Sequence, residues 1–303
     1  MDNLTHSLVG AVLGRMGLKR LSPRAMPGLI IAANLPDIDS WIARPLGLSP
    51  RSFHRGFTHG IGGLVVMPIV AVATIWLWER LRPGKEGPLK LGGLWLACLI
   101  AFLSHPALDF LNTYGVRLLE PFSHRWFYGD TLFIVDPWIW LMLILGLEFS
   151  WRAERLGRNW ERPAAYAFCA MLAYIGINAA VSVRAVAATR PGVERIAPPA
   201  MIVAGEVPLE FWKRQVMWRT AKLSGTAEYD VFGNAARLDP KIWPLNLDDP
   251  RLTMAARTDP DVCNFLFWSR MPLIIDLDGK AYLSDQRFPA LRRTTFMVPL
   301  DKR

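Results

Sequence analysis

The sequence has few cysteines and none of the common nucleophile or phosphate-loop motifs. Only three of the 303 residues are cysteine, and no Cys-x-x-Cys or Cys-x-His spacing occurs. This argues against a disulfide framework and against a cysteine zinc site. No Gly-x-Ser-x-Gly motif is present, and no Lys-Ser or Lys-Thr follows the glycine-rich stretches at 60–63 and 92–93. A serine hydrolase and a phosphate-binding loop are therefore not indicated.

The N-terminus also lacks the features of a cleavable signal peptide. Asp2 and His6 interrupt the first apolar run, and no basic segment precedes it. We therefore expect the first helix to be retained in the mature protein.

Long apolar blocks are abundant, and they predict an α-helical membrane bundle. The hydrophobic fraction is 52% and the mean hydropathy is +0.21, which is high for a soluble enzyme. Two shorter apolar pieces, 4–18 and 25–43, predict an inserted helical hairpin, which makes about six helices in all. Four further blocks have the length of roughly 20 residues that a spanning helix needs: Gly60–Trp78, Leu91–Leu111, Thr131–Phe149 and Pro163–Val183.

Basic residues concentrate in the short loops between these blocks. The net charge of +9 raises the alternative of nucleic-acid binding, but the positions of the charges favour retention of cytoplasmic loops. Segments 15–24, 80–90 and 152–162 each contain four Lys or Arg residues. We therefore expect a multi-pass protein of the bacterial inner membrane, with membrane lipids as partners and no nucleic acid.

The composition changes after Thr189, where Pro191, Pro198 and Pro199 indicate a linker. We predict a membrane-embedded domain over 1–189 and a small β-rich domain over 190–303, outside the membrane on the extracytoplasmic side. Residues 265–283 are interpreted as strands with a hairpin turn at Asp278-Gly279, and 294–300 as a further strand.

All five histidines lie within the first 124 residues, each near acidic or polar neighbours at the end of an apolar block. His105 and Asp109 are four residues apart and therefore share one helix face. Taken singly, such a histidine often lies at the membrane interface, such an aspartate often lies at a solvated helix end, and a His–Asp pair often forms only a buried hydrogen bond. On the six-helix arrangement, however, alternate crossings bring all of them to the same membrane face. We therefore predict a metal site whose ligands come from His6, Asp37, His54, His59, His105, Asp109 and His124.

Mixed imidazole and carboxylate ligands favour zinc, with manganese or iron as alternatives, over calcium. The number of candidate ligands exceeds the needs of one tetrahedral ion and indicates two. A bound divalent ion would generate a nucleophilic water, Asp37 or Asp39 would serve as general base, and Arg55 or Arg125 would hold a developing negative charge.

The combined motifs resemble the YdjM-like (LexA-regulated) family of membrane-bound metal-dependent hydrolases. The matching strings are Thr5-His6, Leu35-Pro-Asp37-Ile-Asp39, His54-Arg-x-x-Thr-His59 and His105-x-x-x-Asp109, within about residues 1–150. Their order is also similar to that of the zinc-dependent phospholipase C and single-strand nuclease group. That resemblance implies clustered zinc ions and phosphoester cleavage, although no histidine follows His124 to complete that group's pattern.

We therefore expect a membrane-bound metal-dependent hydrolase that acts on a phosphoester or carboxyl ester of a lipid or envelope molecule. The alternative is a metal-ion or proton transporter with a path lined by His and Asp, and a third interpretation is a membrane scaffold without enzymatic activity. The sequence leaves the substrate and the oligomeric state open.

Overall fold

The computed structural model describes residues 1–43, 45–233, 235–288 and 296–301. The chain divides into two compact units, one formed by residues 1–42 and 54–178 and the other by residues 43–53 and 179–303. The helices, in chain order, are α1 (Asn3–Arg15), α2 (Ala25–Asn34), α3 (Ile38–Ile42), α4 (Pro50–Phe53), α5 (Ile61–Leu81), α6 (Leu91–Phe110), α7 (Pro137–Arg155), α8 (Glu161–Glu194), α9 (Pro250–Thr258) and α10 (Pro260–Trp268).

Short helices α1 and α2 form the predicted N-terminal hairpin. The Asp2 carboxylate caps α1 by accepting hydrogen bonds from the backbone N–H groups of Leu4 and Thr5. Helix α1 approaches α2 closely at Gly10, where a Cβ atom would lie 3.0 Å from the carbonyl oxygen of Leu29. With 13 and 10 residues, these helices are too short to cross the hydrocarbon core alone.

Three helices of the described residues are long and apolar enough to cross a membrane: α5, α6 and α8. Their exposed faces carry large apolar side chains such as Ile69, Trp95 and Leu103, as expected for surfaces that contact lipid. The predicted span Thr131–Phe149 is not confirmed. The helix that forms there, α7, carries Glu148, Arg152, Glu154 and Arg155 near its C-terminus, and it is not among the candidate membrane spans of the described residues.

A β-rich region is present at the C-terminus, as predicted. The first sheet is antiparallel in the order β1 (Met201–Glu206), β2 (Lys213–Arg219), β3 (Leu223–Asp230) and β4 (Ala235–Pro244). One of its faces packs Ala204, Val216 and Ala227 against Val181 and Ala185 of α8. The second sheet has the order β5 (Pro272–Leu277), β6 (Lys280–Asp285) and β7 (Met297–Pro299).

The predicted hairpin turn at Asp278-Gly279 joins β5 to β6, and both of its residues have positive φ. The strand predicted to begin at Phe265 is wrong in its first part, because residues 265–268 belong to α10. Asp259 caps this helix by accepting from the N–H of Asp261, and Pro260 occupies its first turn. Strand β7 lies within the predicted strand 294–300, whose positions 294 and 295 fall outside the described residues.

Candidate metal centre

Four side chains from three separate segments converge in a buried inner group, defined here as Asp37, His59, His105 and Asp109. Each offers one ligand atom, and these atoms all lie within 4.8 Å of one another. Asp37 ends the 3-10 turn that follows α2. His59 lies just before α5, while His105 and Asp109 occupy successive turns at the end of α6, as their four-residue spacing predicts.

The hydrogen bonds behind the two inner imidazoles determine which ring nitrogen faces the group. His105 Nδ1 lies 2.6 Å from the carbonyl oxygen of Ala33, and a carbonyl oxygen only accepts, so Nδ1 carries the proton. The Thr58 hydroxyl donates to Asp39 and lies 2.9 Å from His59 Nδ1. The Thr58 oxygen therefore accepts from this ring. By inference, both Nε2 atoms present lone pairs to the inner group.

These two Nε2 atoms are only 3.1 Å apart. Each of these Nε2 atoms also lies 3.5 Å from Asp37 Oδ1. The Nε2 atom of His59 lies 3.4 Å from Asp109 Oδ2. Lone pairs and carboxylate oxygens that face one another in a buried space repel each other unless a cation lies among them. This donor set therefore fits a divalent metal ion.

An outer group adjoins the inner one and shares Asp37 with it. Asp37, Asp39 and His54 also offer ligand atoms within 4.8 Å of one another. His54 is 21% exposed and Asp37 15% exposed, whereas the side chains of His59, His105 and Asp109 are fully buried. The outer group is thus the side of the site that solvent reaches.

The Asp39 carboxylate is held by several donors. Its Oδ1 lies 2.8 Å from His54 Nδ1, and its Oδ2 accepts from the N–H of Arg55 at 3.0 Å and from the Thr58 hydroxyl at 2.7 Å. Burial opposes ionisation of this group, but the hydrogen bond from His54 and the proximity of the His59 imidazole outweigh burial and hold the pKa of Asp39 well below its usual range. The carboxylate is consequently an anion at neutral pH.

His6 completes the wall of the inner group. Its ring stacks on His105 with centroids 3.7 Å apart, and its Nε2 lies 3.5 Å from Asp109 Oδ1. The residue is fully buried, and neither ring nitrogen has a hydrogen-bond partner among the described residues. The amino group of Met1 also contacts Asp109. A buried imidazole with both nitrogens unpaired is costly, and a nearby cation would relieve that cost.

Arg55 is buried against the same carboxylate rather than turned toward solvent. Its Nε lies 3.0 Å from Asp109 Oδ2, and its Nη2 donates to Asp109 Oδ1 at 3.1 Å. Its Nη1 donates to Asn112 Oδ1 at 2.9 Å, and the guanidinium lies over the ring of Tyr114. The hydrogen bond to Oδ1 and the ion pair with Oδ2 hold Asp109 in its orientation.

The structure does not bring His124 into either group. The His124 side chain is 68% exposed, and its Nδ1 lies 2.7 Å from Glu120 Oε1, which Arg117 also contacts. Arg125 is exposed too, with its guanidinium over the ring of Phe127.

Sequence reasoning overlooked several groups that hold the ligands. Thr58 links Asp39 to His59, and Gly60 takes the N-cap position of α5. Asn112, Tyr114 and the carbonyl of Ala33 were not singled out. Only the His54-Arg-x-x-Thr-His59 string, which contains Thr58 between two histidines, gave a signal for any of them.

Comparison with known proteins places this arrangement in a wider group. Residues 1–185 match the family described as YdjM inner membrane protein. Inner membrane protein YbcI of Escherichia coli strain K12 is 30% identical over 177 residues, which cover 49% of this chain and 96% of YbcI. The uncharacterized protein YfhP of Bacillus subtilis strain 168 is 29% identical over 151 residues, which cover 46% of this chain but only 43% of YfhP. No solved structure matches the chain.

Proposed function

Because this chain belongs to the YdjM inner membrane protein family and carries a buried His/Asp cluster, we propose that it is a membrane-bound metal-dependent hydrolase. Its substrate would be a phosphoester or carboxyl ester of a lipid or envelope molecule. Neither the family description nor the names of the relatives assigns such an activity, so the proposal rests on the chemistry of the cluster.

The observation that carries the proposal is the approach of His59 Nε2 to His105 Nε2 at 3.1 Å, between two carboxylates. Hydrogen bonds to Ala33 and Thr58 orient both lone pairs inward. Purely structural histidines would direct at least one N–H toward an acceptor in the cluster. Preorganised lone pairs are what a metal ligand requires.

We propose zinc as the metal and two positions for it. Imidazole and carboxylate donors without cysteine suit zinc, and manganese or iron would also accept them. The inner group with His6 would form one position, and the outer group would form the second. Asp37 belongs to both groups and would bridge them.

A divalent ion at such a site lowers the pKa of a bound water toward neutrality and so supplies a nucleophile. Of the two carboxylates proposed as general base, Asp37 is the more accessible, because Asp39 is only 1% exposed and already accepts three hydrogen bonds. Asp37 would take the proton on a carboxylate oxygen that binds no ion. Arg55 would act as a positioning residue that holds Asp109, since its guanidinium is occupied by protein acceptors.

The position of the ligands supports an amphipathic substrate. His59 precedes the first turn of the candidate span α5, and Asp109 lies in the last turn of the candidate span α6. Both therefore belong near the boundary of the hydrocarbon core, where a lipid ester group also lies. A site at that depth can accept a lipid without extracting it from the bilayer.

The proposal is tested with the full chain purified in detergent. Elemental analysis should find about two zinc equivalents per chain, and hydrolysis of a phospholipid or a 4-nitrophenyl ester should require the metal. His105→Gln should abolish both while leaving the helical circular dichroism spectrum intact, and His124→Gln serves as the matched control. Retained metal without turnover on any ester, together with metal uptake into proteoliposomes, would favour the transporter instead.

A further inference from the structure

A cavity of about 270 Å³ lies between the two sheets of the C-terminal unit. Its lining residues all fall within positions 224–286, so none of them belongs to the predicted metal ligands. Ser224 and Ser284 at its wall are buried, whereas Asn246 and Asp276 are exposed. The cavity therefore opens to solvent.

The lining of the cavity is mixed: Leu273, Ile275 and Leu277 are apolar, whereas Ser224, Thr226 and Ser284 carry hydroxyl groups. Val203 and Met217 of the first sheet pack with Met271 in a small apolar cluster. This cluster closes one part of the space between the two sheets. Ser224 and Thr226, two residues apart on β3 and therefore on one face, leave the remaining part open. Interiors are normally close-packed, so a gap lined by both apolar and hydroxyl side chains indicates room for an occupant with an apolar face and polar groups.

Two lining groups have hydrogen-bonding or stacking capacity to offer. Trp243 stands opposite Ser224 in the β3–β4 register and is only partly buried. Gln286 is 9% exposed, and its Nε2 donates to the carbonyl of Gly225 at 2.8 Å. The Gln286 Oε1 atom has no hydrogen-bond partner among the described residues.

The charge of the lining selects the class of ligand. None of the described residues that line the cavity is Lys or Arg, which disfavours phosphates and other anions. The carboxylate of Asp285 is neutralised by Arg287 at 2.9 Å, which leaves Asp276 as an accessible acceptor. Hydroxyl, amide and carboxylate groups beside an indole ring match a ligand with an apolar face and a rim of hydroxyl groups.

We propose that this cavity binds a neutral saccharide, with the sugar ring against Trp243 and its hydroxyl groups bonded to Asp276 and Asn246 at the exposed rim. The volume is close to the lower end of ordinary ligand pockets, about 300 Å³, which suits one or two sugar rings. This binding site is independent of the metal centre and does not require the hydrolase proposal to hold.

The test uses the full chain in a detergent without a sugar headgroup, because a maltoside would compete. Binding of maltose and of N,N′-diacetylchitobiose is measured by isothermal titration calorimetry and by saturation-transfer NMR, with glucose 6-phosphate as the anionic comparison. Nanodiscs that contain a diglucosyl diacylglycerol distinguish a glycolipid headgroup from a free sugar. Trp243→Ala and the exposed substitution Asp276→Asn are compared with Phe232→Ala, whose side chain is 83% exposed and lies outside the cavity.

A neutral sugar should bind either as a free disaccharide or as the headgroup of the glycolipid. Trp243→Ala and Asp276→Asn should each weaken binding at least tenfold, and Phe232→Ala should leave it unchanged. Because Asp276 is on the surface, loss of binding in that variant cannot be attributed to misfolding. Absence of binding to every neutral sugar, tighter binding of glucose 6-phosphate, or equal affinity in all three variants would overturn the assignment, as would binding of a lysine-containing peptide in place of sugar.

Discussion

At the scale of single residues, hydrogen bonds behind the ligands decide what the site can do. Ala33 and Thr58 fix the orientation of two imidazoles, and Arg55 fixes one carboxylate. Such supporting contacts commonly change metal affinity 10- to 100-fold when they are removed. Substitutions at the metal centre should therefore distinguish the residues that bind the metal from those that only orient its ligands.

His6→Ala is expected to lower the retained metal by at least half, because this fully buried ring contacts Asp109 and stacks on His105. His124→Ala removes an imidazole that is 68% exposed, and it should leave the metal content unchanged. Inductively coupled plasma mass spectrometry of both purified variants measures the difference. Equal metal content in the two variants would remove His6 from the site.

Arg55→Ala leaves the buried Asp109 without its guanidinium partner. Breaking a buried ion pair typically costs about 3 kcal/mol or more, so we expect a clear drop in Tm in detergent. Arg55→Lys should recover only part of the loss, because an ammonium group lacks the separate nitrogens with which the guanidinium donates to Asp109 and Asn112.

Arg152→Ala is the control, since Arg152 and Glu148 form an exposed pair that contributes at most about 0.5 kcal/mol. Similar melting temperatures for Arg55→Ala and Arg152→Ala would show that the Asp109 contact is not structurally important.

The candidate ligands could be proposed from sequence because each stands in a short string of polar residues beside an apolar block. Asp37 and His59, for example, interrupt otherwise hydrophobic surroundings. The groups that orient these ligands could not be proposed, because the Ala33 carbonyl and Asn112 acquire their roles only when distant segments fold together. For His124, the same sequence pattern misled, because its nearest acid is Glu120, one turn away.

At the scale of helices and strands, the β-propensity or apolar character of a segment was sometimes outweighed by residues beside it that start a helix. The aromatic run Phe265-Leu-Phe-Trp268 has high β-propensity, yet Asp259 and Pro260 begin a helix there. The apolar block Thr131–Phe149 also predicted a span. Its helix starts six residues later, at Pro137, where Asp136 caps it, and it extends into charged sequence. Helix start signals thus explain both differences.

Close packing between α6 and the connection that joins α1 to α2 gives an element-scale prediction. A Cβ atom at Gly93 would lie 2.3 Å from the carbonyl oxygen of Leu21, whereas at Gly92 it would meet nothing within 4 Å. Gly93→Ala should lower stability by about 1–3 kcal/mol through overpacking, while Gly92→Ala should raise it by up to about 1 kcal/mol through helix propensity. Thermal unfolding in one detergent compares the two, and a stabilised Gly93→Ala would contradict this packing.

At the scale of the whole molecule, we expect metal binding to stabilise the folded state. A ligand present at 100 times its Kd stabilises the native state by about 2.7 kcal/mol. Treatment with EDTA should therefore lower the Tm of the wild-type chain, and added zinc should restore it. His105→Ala should melt at one temperature with or without EDTA. A wild-type Tm that does not change when the metal is removed would disprove the linkage.

Membrane orientation is the second whole-molecule prediction. The loop between α5 and α6 carries Arg82, Lys85 and Lys90, so we expect it in the cytoplasm, with the α6–α7 loop on the opposite face. In a cysteine-free background, Phe122→Cys should react with an impermeant maleimide in intact cells. Lys85→Cys should react only after permeabilisation. The reverse pattern would place the metal centre at the cytoplasmic face.

The unequal exposure of the two ligand groups has a kinetic consequence. An ion held by Asp37, Asp39 and His54 would border solvent, whereas one held by the inner group would have only Asp37 partly exposed among its ligands. The first would exchange with free metal quickly, and the second slowly. Brief chelation should consequently yield a half-loaded species that retains the ion of the inner group.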